Sequence, residues 1–415
     1  MNVLVICHDH PHYTMGGTEV LSHDLCAAYR ARGAHATFLA ATTSLSRPDM
    51  AKGSLDRLGP DFLLRTGRYD MFSLSRLDGT EWVNSIRDVV RQTTPDVVHL
   101  HGLDRLGVEL VTLLRRILPH ASIVLTLHDY QLICPNEGLL LTRPDAALCH
   151  SPSPEACHSC FRHLSIDHHG LRKAYLLTVL EMIDAFVAPS EDLKERFVSW
   201  GLDRERIHLV RNGVPELKKA SQRIIDNQER ARNRFAFFGQ FASHKGVYTL
   251  LDAASRLKAS GSTARLSFHG RMFHPSPEAR ARFDQALRNA EPFVQHIGPY
   301  SRAELPELLS GCDWVVLPSL WFENAALTVL EAHRLGIPVI CTDLGGLGEI
   351  VRDGENGLHV PRGDAAALAE TMAFAARDTS LWEKLVAGIK APPTTAQVAD
   401  QYLTLFQSLK HRAAA

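Results

Sequence analysis

The sequence predicts an α/β protein made of two consecutive doubly wound domains with a cleft between them. Three observations lead there. Strand-like and helix-like segments alternate along the chain, the pattern of parallel strands with helices on both faces. The alternation runs twice, on either side of a polar, charged stretch at 215–234 that includes Lys218, Lys219, Arg230, Arg232 and Arg234. A chain of 415 residues also exceeds what a single core supports.

The elements follow in order. The short apolar run 3–7 reads as a first strand, because a signal peptide needs a longer apolar core and a small-residue cleavage site. Further strands are expected at 36–40, 97–101, 123–128, 186–189 and 208–211, with helices at 18–32, 80–91 and 191–200. The second half repeats the pattern, with strands at 235–239, 266–270, 294–297, 314–318, 339–342 and 358–360. Its helices are expected at 246–258, 277–289, 324–335 and 365–376. The first domain then covers 1–215 and the second 216–393, with 394–415 a terminal helix returning to the first. Residues 131–167 form an insertion too long for a plain connection.

Composition narrows the function classes. Hydrophobic and charged fractions of 45% and 22% are ordinary for a globular chain. A net charge of -1, with no basic stripe bearing aromatics, excludes nucleic acid as a partner. No apolar run approaches a membrane span, so a cytoplasmic setting with eight reduced cysteines is expected. Peripheral contact at the inner face of a membrane stays open through the segment around Arg172 and Lys173, although a half-buried helix also explains it.

The chemistry concentrates where strands end, the place where doubly wound sheets bind ligands. Glu323 and Glu331 stand eight residues apart in an apolar segment. On one helix they would lie roughly 12 Å apart along a wall, a spacing suited to a nucleotide-sugar. Read alone, Glu323 is a first-turn acid complementing a helix dipole and Glu331 a satisfied core acid. Gly16 and Gly17 precede a helix and let backbone N–H groups approach a phosphate. Lys245, before Gly246, can neutralise a diphosphate. His128 ends a strand, and Gly345 and Gly346 form another glycine-rich turn. Cys134, Cys149, Cys157 and Cys160 have the ligand number of a structural zinc site, with His150 and His158 as rival ligands and free thiols or a labile disulfide as the alternative. His8, His10 and His12 read as a polar loop without metal.

In order and spacing these motifs resemble the retaining glycosyltransferases of family four, whose GT-B architecture pairs two Rossmann-like domains. The resemblance covers nearly the whole chain, and its most specific part runs from Pro318 through Glu323 and Glu331 (the E-x7-E motif) to Gly345-Gly346. It implies that Glu323 holds sugar hydroxyls, Glu331 the ribose and Lys245 the diphosphate, with His128 beside the reacting carbon. It makes His128, Glu323 and Lys245 catalytic, and places Gly16, Gly17, Gln240, Asn324, Gly345 and Gly346 with the donor. Where the family often carries an arginine, this chain has Gln240, which brings no charge.

The implied activity is transfer of a sugar from a nucleotide-diphosphate donor to a hydroxyl acceptor. The acceptor would be a saccharide, lipid-linked saccharide or small molecule, in polysaccharide, glycolipid or other glycoconjugate synthesis. No Asp-x-Asp pair is present, so no catalytic cofactor is expected. The alternatives are a nucleotide-sugar 2-epimerase of the same fold and a catalytically silent binding or regulatory protein.

Overall fold

The computed structural model describes residues 1–14, 16–77, 79–217, 231–272 and 276–414, with side chains through Lys410. Met15, Lys218, Lys219 and Arg230 lie outside the described residues. The chain forms two compact units, one of Met1–Pro215 with Pro393–Ala415 and one of Glu216–Pro392.

The first unit runs β1 (Asn2–Cys7), α1 (Gly17–Ala31), β2 (His35–Thr42), β3 (Leu55–Leu58), β4 (Asp61–Arg65), β5 (Tyr69–Asp70) and β6 (Ser75–Arg76). It continues with α2 (Glu81–Thr93), β7 (Val97–His101), α3 (Glu109–Ile117), β8 (Ser122–Thr126), α4 (Pro154–Cys160), α5 (Ile166–Leu180), β9 (Ala185–Ala188), α6 (Glu191–Trp200) and β10 (Ile207–Leu209). Eight strands make one sheet in the order β10-β9-β8-β7-β1-β2-β4-β3. It is parallel except at the edge pair β3–β4. The near-continuous apolar runs of β1, β8 and β9 are what a parallel sheet covered on both faces requires.

The buried strand β7 breaks that rule with His99 and His101. His99 is satisfied on both nitrogens, by Tyr29 Oη at 3.2 Å and Thr126 Oγ1 at 2.7 Å. The terminal helix α14 (Thr395–Ala414) closes over this point. Tyr402 and Phe406 pack on Tyr29 and His99, and Tyr402 Oη lies 3.0 Å from Thr126 Oγ1.

The second unit runs β11 (Arg234–Phe238), α7 (Val247–Ala259), β12 (Arg265–His269), α8 (Pro277–Ala290), β13 (Val294–Gly298), α9 (Leu305–Ser310) and β14 (Trp314–Leu317). Then come α10 (Leu327–Arg334), β15 (Val339–Thr342), α11 (Leu347–Ile350), β16 (Gly357–Val360), α12 (Ala365–Arg377) and α13 (Thr379–Gly388). Its six parallel strands are ordered β13-β12-β11-β14-β15-β16. An aromatic core of Phe235, Phe237, Phe268 and Trp314 holds the centre.

One expected element differs in a way that matters for the site. Helix α10 begins at Leu327, not at 324, so Glu323 and Glu331 do not share a helix. Ala326 is extended (ψ 114°), and the Glu323 backbone is drawn into a bridge with Gly345 instead.

Among the described residues no helix is long and apolar enough to cross a membrane. Arg172 of α5 does not face outward: it is buried and donates to the carbonyls of Phe72, Gln131 and Leu132.

Candidate active site

In the second unit the loop after β14 extends through Ser319 and Trp321 to Glu323. The chain bends at Leu320 and Trp321, and the three side chains converge. Glu323 Oε1 accepts from Lys245 Nζ at 2.7 Å, Ser319 Oγ at 2.7 Å and Trp321 Nε1 at 2.8 Å. Lys245 ends a short 3-10 turn before α7, with its ammonium 4.9 Å from the Trp321 ring centroid. Burial by itself would raise the Glu323 carboxyl; the Lys245 charge and the three donors outweigh it and hold the pKa below the ordinary value. Glu323 is therefore a carboxylate loaded on one oxygen.

Two glycines set this geometry. Gly246 has φ +74°, and a Cβ there would overlap the carbonyl oxygen of Pro318. Gly345 has φ +64°, and a Cβ there would overlap the carbonyl oxygen of Glu323. The Gly346 N–H donates to that same carbonyl at 2.6 Å. Gly345 and Gly346 thus grip the backbone of Glu323. Asn324 is buried beside it, and Glu331 is buried on α10. Tyr300 stands near enough to Glu331 that burial and that carboxylate together push its phenol pKa up. Gln240 is exposed beyond β11 and does not join the Lys245–Glu323 group.

In the first unit Gly16 caps α1 without a side chain, and the Glu19 carboxylate folds against it. Gly17 opens the helix. Glu19 pairs with His8 Nε2 at 3.2 Å. Burial disfavours the His8 imidazolium, yet the Cys7 sulfur and the Glu19 carboxylate raise its pKa well above the ordinary value. His128 lies two residues beyond β8, with Nε2 2.8 Å from His101 Nδ1. Burial, then the His8 charge, lower it to about 3, so it is neutral at physiological pH. A small pocket opens beside it, lined by Gly102, Leu103, Asp104, Asp129 and Gln131 among others.

The zinc expectation is not supported. Cys134 is buried, Cys149, Cys157 and Cys160 are half-buried, and all four are unpaired thiols. A tetrahedral site with Zn–S near 2.3 Å needs sulfurs within about 4 Å of one another. Among the described residues only His10, His23 and Asp61 bring three ligand atoms within 4.8 Å. Burial, followed by the neighbouring Cys134 and Cys149 thiols, pushes Cys157 up to about 12. The histidine–aspartate group is a hydrogen-bond network. The His12 N–H donates to His10 Nδ1 at 3.1 Å, which leaves the His10 proton on Nε2 facing Asp61. Arg30 Nη2 donates to the second Asp61 oxygen at 3.1 Å.

A model of Glycosyltransferase Family 4 matches residues 15–216, and a model of Glycosyl transferases group 1 matches residues 218–390. The chain belongs to the family-four glycosyltransferases. Glycogen synthase of Alkalilimnicola ehrlichii is 31% identical over 198 residues, 44% of this chain and 39% of that protein. D-inositol 3-phosphate glycosyltransferase of Jonesia denitrificans is 29% identical over 229 residues, 51% of this chain and 53% of that protein. The chain thus spans about half, or less, of the length of these curated relatives. The solved structure of Anabaena HepE in complex with UDP and glucose matches with a TM-score of 0.70 at 18% identity, covering 98% of this chain and 100% of that one. That likeness concerns the fold, the GT-B architecture of two Rossmann-like domains.

Sequence reasoning about this family-four chain missed Ser319, Trp321, His8, Glu19 and His101. The His8–Glu19 pair was not readable, because it joins a strand end to the first turn of a helix through tertiary packing.

Proposed function

We propose that this chain transfers a sugar from a nucleotide-diphosphate donor to a hydroxyl acceptor with retention of configuration. The observation that carries the reading is the Glu323 carboxylate, fixed on one oxygen by Lys245, Ser319 and Trp321. Its other oxygen would accept from sugar hydroxyls, and Lys245 would face the departing diphosphate. A preorganised cation there stabilises the charge that grows as the sugar–phosphate bond breaks. The donor's own phosphate would accept the proton of the incoming hydroxyl, so no enzymic nucleophile is invoked. Lys245 and helix N-termini would take the part a divalent ion plays in enzymes with an Asp-x-Asp pair, which this sequence lacks. Support for a nucleotide-sugar comes from family membership and from the UDP and glucose named with HepE.

The test is a panel of nucleotide-sugars incubated with hydroxyl acceptors, reading nucleotide release and the anomeric configuration of the product by NMR. Sugar isomerised without any acceptor would instead indicate an epimerase. A panel that binds without turnover would indicate a silent member.

Glu331 is assigned to the ribose. Glu331→Ala should weaken nucleotide binding by about 1.5–3 kcal/mol, the range of a hydrogen bond to a charged group. Calorimetry with the free nucleoside diphosphate checks this, and equal affinity in mutant and wild type would remove Glu331 from that role.

A further inference from the structure

His101 and His128 stand side by side where β7 ends and just past β8, with His101 Nδ1 2.8 Å from His128 Nε2. Their rings stack at 18° with centroids 5.1 Å apart. A single proton bridges the two nitrogens when both rings are neutral. Which ring owns it decides what His128 offers a substrate, because the bond made by one imidazole nitrogen sets the state of the other.

The far nitrogen of His101 settles the question. His101 is 0% exposed, and its Nε2 is buried with no partner among the described residues. A proton there would leave an orphaned N–H, a rarer and costlier defect than an unshared lone pair. The proton of His101 therefore sits on Nδ1.

We propose that His101 is a positioning residue: its Nδ1–H donates to Nε2 of His128 and fixes His128 as the Nδ1–H tautomer. In that state Nε2 is engaged and takes no proton from an acceptor hydroxyl. His128 then acts as a hydrogen-bond donor and not as a general base. The activity consequence rests on the transfer reading above; the tautomer itself does not.

The experiment uses the full chain labelled with 15N-histidine and long-range 1H–15N spectra, with His128 signals assigned by His128→Gln. The expected wild-type pattern is a protonated Nδ1 and an accepting Nε2 on His128. His101→Phe keeps the ring volume and removes the donor, and should let His128 exchange between tautomers. His101→Asn places its Nδ2 near the lost Nδ1 and should restore the wild-type pattern. In transfer assays His101→Phe should lower kcat by roughly tenfold to a hundredfold with KM for the donor little changed, as expected for misplacement of a catalytic group. His101→Asn should recover most of that loss. A wild-type His128 protonated on Nε2, or spectra unchanged in His101→Phe, would overturn the proposal even if transfer is robust. Should His101→Phe not fold, the wild-type and His101→Asn spectra still decide. The expected spectra in a protein that consumes no nucleotide-sugar would leave the tautomer standing and remove the transfer reading instead.

Discussion

Glu323→Ala lowers sugar transfer by about a hundredfold to a thousandfold, the loss seen when one preorganised electrostatic contact is removed, while nucleotide affinity stays near that of the wild type. The expectation follows from the proposed role of Glu323 in holding the donor sugar. Lys245→Ala should behave differently and damage both binding and turnover, since the proposed reading sets the ammonium against the diphosphate before and during bond breaking. It also strips Glu323 of its only cationic partner among the described residues. Leaving one half of a buried ion pair costs about 3–5 kcal/mol, here moderated by Ser319 and Trp321, so a lower melting temperature should accompany the lost activity. Because the folded pKa of Glu323 is depressed, its contribution to stability is full above the unfolded value near ~4.3. That contribution is lost as pH falls through the folded value. Thermal melts of wild type and Lys245→Ala should therefore converge on acidification. Single-turnover transfer and calorimetry on the two variants check the rest. A Glu323→Ala enzyme at wild-type rate would remove this carboxylate from the reaction.

Gly345→Ala should reproduce much of that loss without touching a titratable group. The left-handed backbone costs an L-residue about 1–2 kcal/mol, and the added Cβ would overlap the carbonyl oxygen that anchors Glu323. Gly363→Ala supplies the control. Its φ of +72° imposes the same backbone cost, but the nearest atom to its Cβ is a Leu320 methyl carbon at 3.9 Å. Both variants should melt earlier; only Gly345→Ala should lose transfer well beyond its loss of stability. Equal kcat/KM for the two would mean that the grip on the Glu323 backbone does not shape the site.

Local patterns exposed most of the fold and part of the site. Buried parallel strands announce themselves as apolar runs, so β7, β14 and β15 begin within a residue of their expected places. The edge pair β3–β4 was missed because Leu55–Leu58 carries an Asp-Arg centre that reads as a turn. Helix α10 was started too early for a related reason: the apolar composition of 325–330 favours a helix, but a long-range bridge to Gly345 claims the first residues. Lys245 and Glu323 were each recognisable from neighbouring glycines and strand ends, whereas their direct pairing across 78 positions was not. The four-cysteine spacing gave a ligand number but not the sulfur positions, and among the described residues no three of these thiols come within 4.8 Å of one another.

The path of the chain has a consequence for how the protein is made. It leaves the first unit after Pro215 and re-enters it only at Pro393, with Val214 and Thr394 paired side by side at the crossing. The helix that covers His99 and Tyr29 is thus synthesised only after the whole second unit. At translation speeds of about 5–20 residues per second, the whole intervening unit takes roughly 10 to 35 s to emerge. Through that interval the second unit can complete itself while a large apolar face of the first stays uncovered and open to chaperones. Assembly order therefore departs from sequence order: the first unit is completed only after the second has emerged.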